Sequence, residues 1–107
     1  MPRKTPNAPR PFLHPDPQAP LYCGPVSLES LARKYGTPLY VYSADQILER
    51  LRMFHEALAG RDHLVCYAVK ANSSLAILKL LAQHGAGFDI VSSGELDRVL
   101  AAAPEAA

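Results

Sequence analysis

Two cysteines in 107 residues, Cys23 and Cys66, stand far apart with no CxxC pair between them. That spacing excludes a disulfide framework and argues for a reducing compartment. Long apolar runs are missing too, since a membrane-spanning helix needs about 20 consecutive apolar residues. An excess of one charge is also lacking: 11 Lys and Arg against 10 Asp and Glu leave a net +1. Such a balance gives no electrostatic footprint for nucleic acid or an anionic membrane surface. The N-terminus, "MPRKTPNAPRPFLHPDPQAP", has basic residues but no hydrophobic signal core, so a soluble cytoplasmic protein is expected. Without export, the N-x-[ST] match at Asn72 to Ser74 is a helix start rather than a glycan site. His14, His55, His63 and His84 show no metal-ligand spacing, and no metal is expected. "GAGFDI" lacks the third glycine of a dinucleotide loop and precedes a strand rather than following one.

Proline, by contrast, is abundant and unevenly placed, with seven of the ten inside residues 1–20. Each removes a backbone donor and fixes φ, so an extended, disordered arm is expected there. From Leu21 onward helices and strands alternate. "VSLESLARKYG" reads as a helix with Ser27 as N-cap and Gly36 as its stop. "TPLYVYS" reads as a short strand, with Pro38 at its start. "SADQ", residues 43–46, is a capping box opening a helix with Ile47, Leu48, Leu51, Phe54 and Leu58 on one stripe.

"HLVCYAV", residues 63–69, is a continuous apolar run of the kind found in parallel strands covered on both faces. A helix follows, capped from Asn72, Ser73 or Ser74, and then a second short strand, "GFDIV", at 87–91. "SSGE", 92–95, is another capping box before a helix carrying Leu96, Val99 and Leu100. The alternation predicts an α/β fold with a parallel sheet. Two such units cannot close a core on themselves, and a (β/α)₈ barrel takes about 250 residues. The chain is therefore expected to be the N-terminal piece of a larger protein.

Three residues carry the candidate chemistry. Lys70 stands at the carboxyl end of the first apolar strand, the end at which α/β folds gather their sites. A lysine amine there can act as a nucleophile toward a carbonyl carbon, although a lysine reaching for water fits the position equally. Asp89 lies within the second strand, where a carboxylate is costly unless paired, or else faces solvent. If the strands are neighbours, Asp89 comes near Lys70. Glu95 is the N3 residue of its capping box and needs no further role to account for it.

Taken together, "YGTPLYVYS", "CYAVKANSS" and "GAGFDIVSSGEL" resemble the N-terminal part of the fold-type III pyridoxal-phosphate decarboxylases, from about Leu21 to the C-terminus. The resemblance implies a pyridoxal 5'-phosphate-binding (β/α)₈ barrel of the alanine racemase-like kind, followed by a β-domain. Residues 1–20 would then be the arm, 21–62 a lead-in strand and helices, and 63–107 the first two βα units. The lead-in strand joins the β-domain in the family. Lys70 would link covalently to the cofactor, Asp89 would line the site, and Glu95 would touch the cofactor, as its counterpart does in ornithine-type relatives. Among family members the motifs match best those converting meso-diaminopimelate to L-lysine. Ornithine, arginine or carboxynorspermidine decarboxylation, or a non-catalytic homologue, are the alternatives. Ser93 stands where many members carry glycine. A small-molecule amino-acid substrate and a homodimer are implied. The family's phosphate-binding glycine loop and its catalytic cysteine lie further along the chain, so these 107 residues are expected to be inactive alone.

Overall fold

The computed structural model describes residues 11–106. They group into two compact units, one up to Ile47 and one from Leu48. In the first unit β1 (Phe12–Leu13), β2 (Tyr22–Cys23) and β3 (Val26–Ser27) form a small antiparallel sheet in that order. Phe12 lies opposite Cys23, and Tyr22 opposite Ser27. Asp16 turns the link between β1 and β2: its Oδ1 accepts the Gln18 N–H at 2.9 Å and its carbonyl accepts that of Ala19. Residues 11–20 are thus no disordered arm; the rest of that expected arm, residues 1–10, lies outside the described residues. Pairing is possible because Pro15, Pro17 and Pro20 lie outside the paired positions and Pro11 takes part only through its carbonyl, which accepts the Gly24 N–H at 3.2 Å.

Helix α1 (Leu28–Tyr35) begins as the sequence predicts, with Ser27 Oγ accepting the Ser30 N–H at 3.3 Å. Gly36 ends it at φ 81°, where a side chain would be strained, and donates its N–H to the Ala32 carbonyl at 2.8 Å. Helix α2 (Ala44–Ala57) opens on Ser43, whose Oγ accepts the Gln46 N–H at 3.2 Å. Between these helices the expected strand at "TPLYVYS" does not form, and Tyr40 is 85 % exposed. A strand exists through its ladder, and this stretch has no partner strand among the described residues.

The second unit holds the rest of α2, then β4 (Cys66–Ala68), α3 (Leu75–Gln83), β5 (Gly87–Asp89) and α4 (Ser93–Ala102). Of the α2 stripe in this unit Leu51 is buried, whereas Phe54 is exposed. On its solvated side Arg52 pairs with both Glu49 and Glu56, and the guanidinium holds the Glu49 carboxyl below its ordinary range. Strands β4 and β5 run parallel, with Cys66 opposite Gly87, Tyr67 opposite Phe88 and Ala68 opposite Asp89. A parallel pair joined through a helix is the predicted α/β arrangement.

Side chains alternate across that pair. Tyr67 and Phe88 pack on Val69, Leu78 of α3 and Val99 of α4, with Ala102 beside them. The opposite face carries Leu64, Cys66 and Gly87. A Cβ on Gly87 would meet Cys66 Sγ at 3.1 Å and Leu64 Cδ2 at 3.3 Å, so a glycine lets the strands close here. Leu64 is 68 % exposed and Cys66 is exposed too. Among the described residues only the helical face of the pair is covered. The strands are also shorter than the apolar runs, because among the described residues β4 and β5 have only each other as partners and Val69 turns out of line. No described helix is long and apolar enough to cross a membrane.

Leu78, with no exposed surface, anchors this core. Leu78→Ala should cost about 2–5 kcal/mol in a urea titration, through lost burial plus the cavity left against Val69 and Val99. Glu29→Gln, which breaks the exposed Arg33–Glu29 pair of α1, should cost at most about 0.5 kcal/mol in the same titration.

Candidate functional site

The parallel register brings the carboxyl ends of β4 and β5 side by side, and the predicted residues gather at that rim. The first strand does not run to Lys70. It stops at Ala68, and Lys70 occupies the middle of a short 3₁₀ turn, Val69–Ala71. Val69, immediately before it, is fully buried, whereas Lys70 is exposed. The backbone at Lys70 is thus held on the core side while its side chain faces away. The Lys70 amine makes no ion pair or hydrogen bond among the described residues.

Asp89 is the last residue of β5, exposed, and the register partner of Ala68. It is neither buried nor ion-paired with Lys70; it stands at the same end of the neighbouring strand.

Glu95 does more than the capping box requires. Ser92 Oγ accepts the Glu95 N–H at 3.2 Å, and its hydroxyl donates to Glu95 Oε2 at 3.0 Å. The same Oε2 accepts the Val91 N–H at 3.2 Å. The box is closed one residue further back than expected, which fastens the end of β5 to the first turn of α4. The other carboxylate oxygen, Oε1, is buried without a hydrogen-bond partner among the described residues. A buried carboxylate oxygen left so is costly and calls for a donor.

The loop between Lys70 and α3 is held by side chains from outside it. Tyr67 on β4 donates its hydroxyl to the Asn72 carbonyl at 2.9 Å, and Arg98 on α4 donates Nε–H to the Ser73 carbonyl at 2.8 Å. Asn72 Oδ1 accepts the Ser74 N–H at 3.0 Å, an Asx turn. Ser74 is the N-cap of α3, but its side chain makes no capping bond. Sequence reasoning missed Arg98, because nothing local marks a contact across 25 positions. It also missed His55 and His63, eight positions apart, whose Nδ1 and Nε2 lie 3.1 Å from each other. His63 Nδ1 donates to the Arg61 carbonyl at 2.8 Å, which leaves Nε2 to accept from His55. No third His, Cys, Asp or Glu joins them in a metal-holding group among the described residues.

Chemically, the rim offers an accessible amine, a nearby carboxylate and a buried carboxylate oxygen lacking a donor. That combination fits a bound group with a carbonyl carbon for the amine and a proton-bearing donor for Glu95.

Comparison with known proteins agrees. The family profile described as "Pyridoxal-dependent decarboxylase, pyridoxal binding domain" matches residues 44–107. The chain is similar to the diaminopimelate decarboxylase of Pseudomonas aeruginosa, at 57% identity over 84 residues, covering 78% of this chain and 20% of the relative. That of Vibrio cholerae is 54% identical over 82 residues, covering 77% of this chain and 20% of the relative. Among solved structures, diaminopimelate decarboxylase from M. jannaschii in complex with L-lysine superposes with a TM-score of 0.77 at 37% identity, covering 85% of this chain and 22% of the other. The Helicobacter pylori enzyme, also complexed with L-lysine, gives a TM-score of 0.65 at 47% identity, covering 69% of this chain and 19% of the other. The chain thus spans about a fifth of the length of the curated relatives it matches.

Two serines at helix starts separate cap position from cap bonding. Ser92→Ala should cost about 1 kcal/mol in urea unfolding, since it removes the acceptor of the Glu95 N–H. Ser74→Ala should shift the midpoint little, because its hydroxyl caps nothing.

Proposed function

The chain belongs to the pyridoxal-dependent decarboxylase family, residues 44–107 matching its pyridoxal-binding domain, and on that premise we propose that it carries the cofactor-anchoring lysine of an enzyme that decarboxylates meso-diaminopimelate to L-lysine. The observation that carries this reading is the Lys70 amine, exposed and unengaged among the described residues beyond the carboxyl end of β4, with Asp89 ending the neighbouring strand. The substrate assignment is supported by the diaminopimelate decarboxylases that the chain resembles, solved in two cases with L-lysine bound.

Residues 63–107 are read as the first two βα units of a (β/α)₈ barrel. Helices α3 and α4 cover one face of the β4–β5 pair and leave the other open, as the outer and inner walls of a barrel would require. Homodimerisation is the assembly that the family resemblance implies. The free thiols of Cys23 and Cys66 suit a reducing, cytoplasmic setting.

When bound, pyridoxal phosphate supplies an aldehyde carbon open to an amine and a ring that accepts the electron pair left as carbon dioxide departs. Lys70 Nζ would hold the cofactor, its turn anchored by buried Val69. Released from the cofactor by a substrate amine, Nζ would take up the proton that amine gives up and would be placed to deliver it to the substrate carbon that lost carboxylate. Asp89 ends the neighbouring strand opposite Ala68, where its exposed carboxylate would line the same rim. Glu95 Oε1 accepts a hydrogen bond from the bound group or from a donor brought with it.

The complete gene product, supplied with pyridoxal phosphate and meso-diaminopimelate, should release carbon dioxide and form L-lysine, and Lys70→Ala should reduce turnover at least a thousandfold. Full activity in Lys70→Ala would refute the assignment of Lys70. Turnover of ornithine, arginine or carboxynorspermidine in preference to meso-diaminopimelate would move the substrate within the family.

A further inference from the structure

The segment that carries Lys70 into α3 has one local side-chain bond, the Asx turn in which Asn72 Oδ1 accepts the Ser74 N–H at 3.0 Å. Its helix cap, Ser74, makes no side-chain bond, and Asn72 sits in an extended conformation at φ −164°. Two successive carbonyls, those of Asn72 and Ser73, are instead satisfied by Tyr67 from β4 and Arg98 from α4. On the other side of Lys70 the backbone is fixed by buried Val69. The amine therefore projects from a span clamped at both ends, and one clamp comes from the helix that follows Asp89 and contains Glu95.

We propose that Arg98 is a positioning residue for Lys70: by holding the Ser73 carbonyl it sets the geometry in which the amine captures the cofactor aldehyde. This rests on the reading of Lys70 as cofactor anchor. A guanidinium suits the task, since a charged donor makes a stronger bond to a carbonyl than a neutral one. Arg98 is itself exposed, so the bond should contribute little to global stability. Its loss should appear locally, because loops open at a fraction of the free energy of the whole fold. Displacement of a reacting group by about 1 Å is enough to slow a positioned reaction severely.

The test compares Arg98→Met, Arg98→Lys and Tyr67→Phe in the complete gene product. Amide hydrogen exchange is followed in the cofactor-free protein, and the rate of covalent capture of added pyridoxal phosphate at Lys70 is read by borohydride trapping and peptide mass. Arg98→Met should leave the urea midpoint nearly unchanged, speed exchange across residues 71–75 about tenfold, and slow capture by a similar factor. Arg98→Lys, which keeps a charged donor, should restore part of both. Tyr67→Phe, which removes the other clamp, should act in the same direction. Unchanged exchange in Arg98→Met overturns the proposal whatever Lys70 does. Faster exchange with an unchanged capture rate also overturns it, since Arg98 would then only stabilise the loop. A wild-type protein whose Lys70 captures no cofactor refutes the functional reading, and a positioning role in it falls too; unaltered exchange beside normal capture refutes Arg98 alone.

Discussion

The parallel pairing of β4 with β5 is the constraint from which the rest of the candidate site follows. Its register sets Ala68 against Asp89, so whatever leaves the end of one strand emerges beside the end of the other. The Lys70 turn leaves β4 there, and the capping box of α4 leaves β5 there. A shift of one residue would exchange the two faces of β5, moving Phe88 out of the core and presenting Asp89 to it. Apolar packing of Tyr67 and Phe88 on Val69, Leu78 and Val99 prevents that slip. The core therefore acts on chemistry through register: it contributes no reactive group yet decides which groups meet.

The same pairing explains why the pair presents one covered and one bare face. Alternation sends Tyr67 and Phe88 toward the two helices and leaves Leu64 and Cys66 on the opposite side with Gly87. Gly87 allows a close approach there that any side chain would obstruct. The bare face is apolar in Leu64 and, in a barrel, would line the interior against other strands. The chain matches about a fifth of its relatives' length, which accords with a segment whose second sheet face is covered by sequence outside it.

Features that depend on contacts three or four residues apart were legible in the sequence. Ser27, Ser43 and Ser92 all cap the helices predicted for them, and Glu95 turns back onto its own helix start. The βαβ alternation was legible as well, through the switch between apolar runs and helical stripes. Strand extent was not, since a strand ends where its partner ends: the seven-residue run at 63–69 yields only Cys66–Ala68. "TPLYVYS" has strand composition but no partner among the described residues, while β1 forms within residues 1–20, whose prolines suggested a disordered arm, and pairs with β2 just beyond them. In the candidate site, Lys70 and Asp89 were singled out from the sequence, and the structure sets the ends of their strands side by side. Arg98, and the meeting of His55 with His63, depend on tertiary contacts that no local pattern announces.

Everything chemical in this account turns on one amine. The 107 residues contain four lysines, Lys4, Lys34, Lys70 and Lys79, and Lys70 is the one on the turn that follows β4. Borohydride reduction of the complete gene product loaded with pyridoxal phosphate, followed by peptide mapping, identifies which lysine holds the cofactor. The account predicts a single modified peptide, the one carrying Lys70. Cofactor fixed to any other lysine, with Lys70 unmodified, would contradict it.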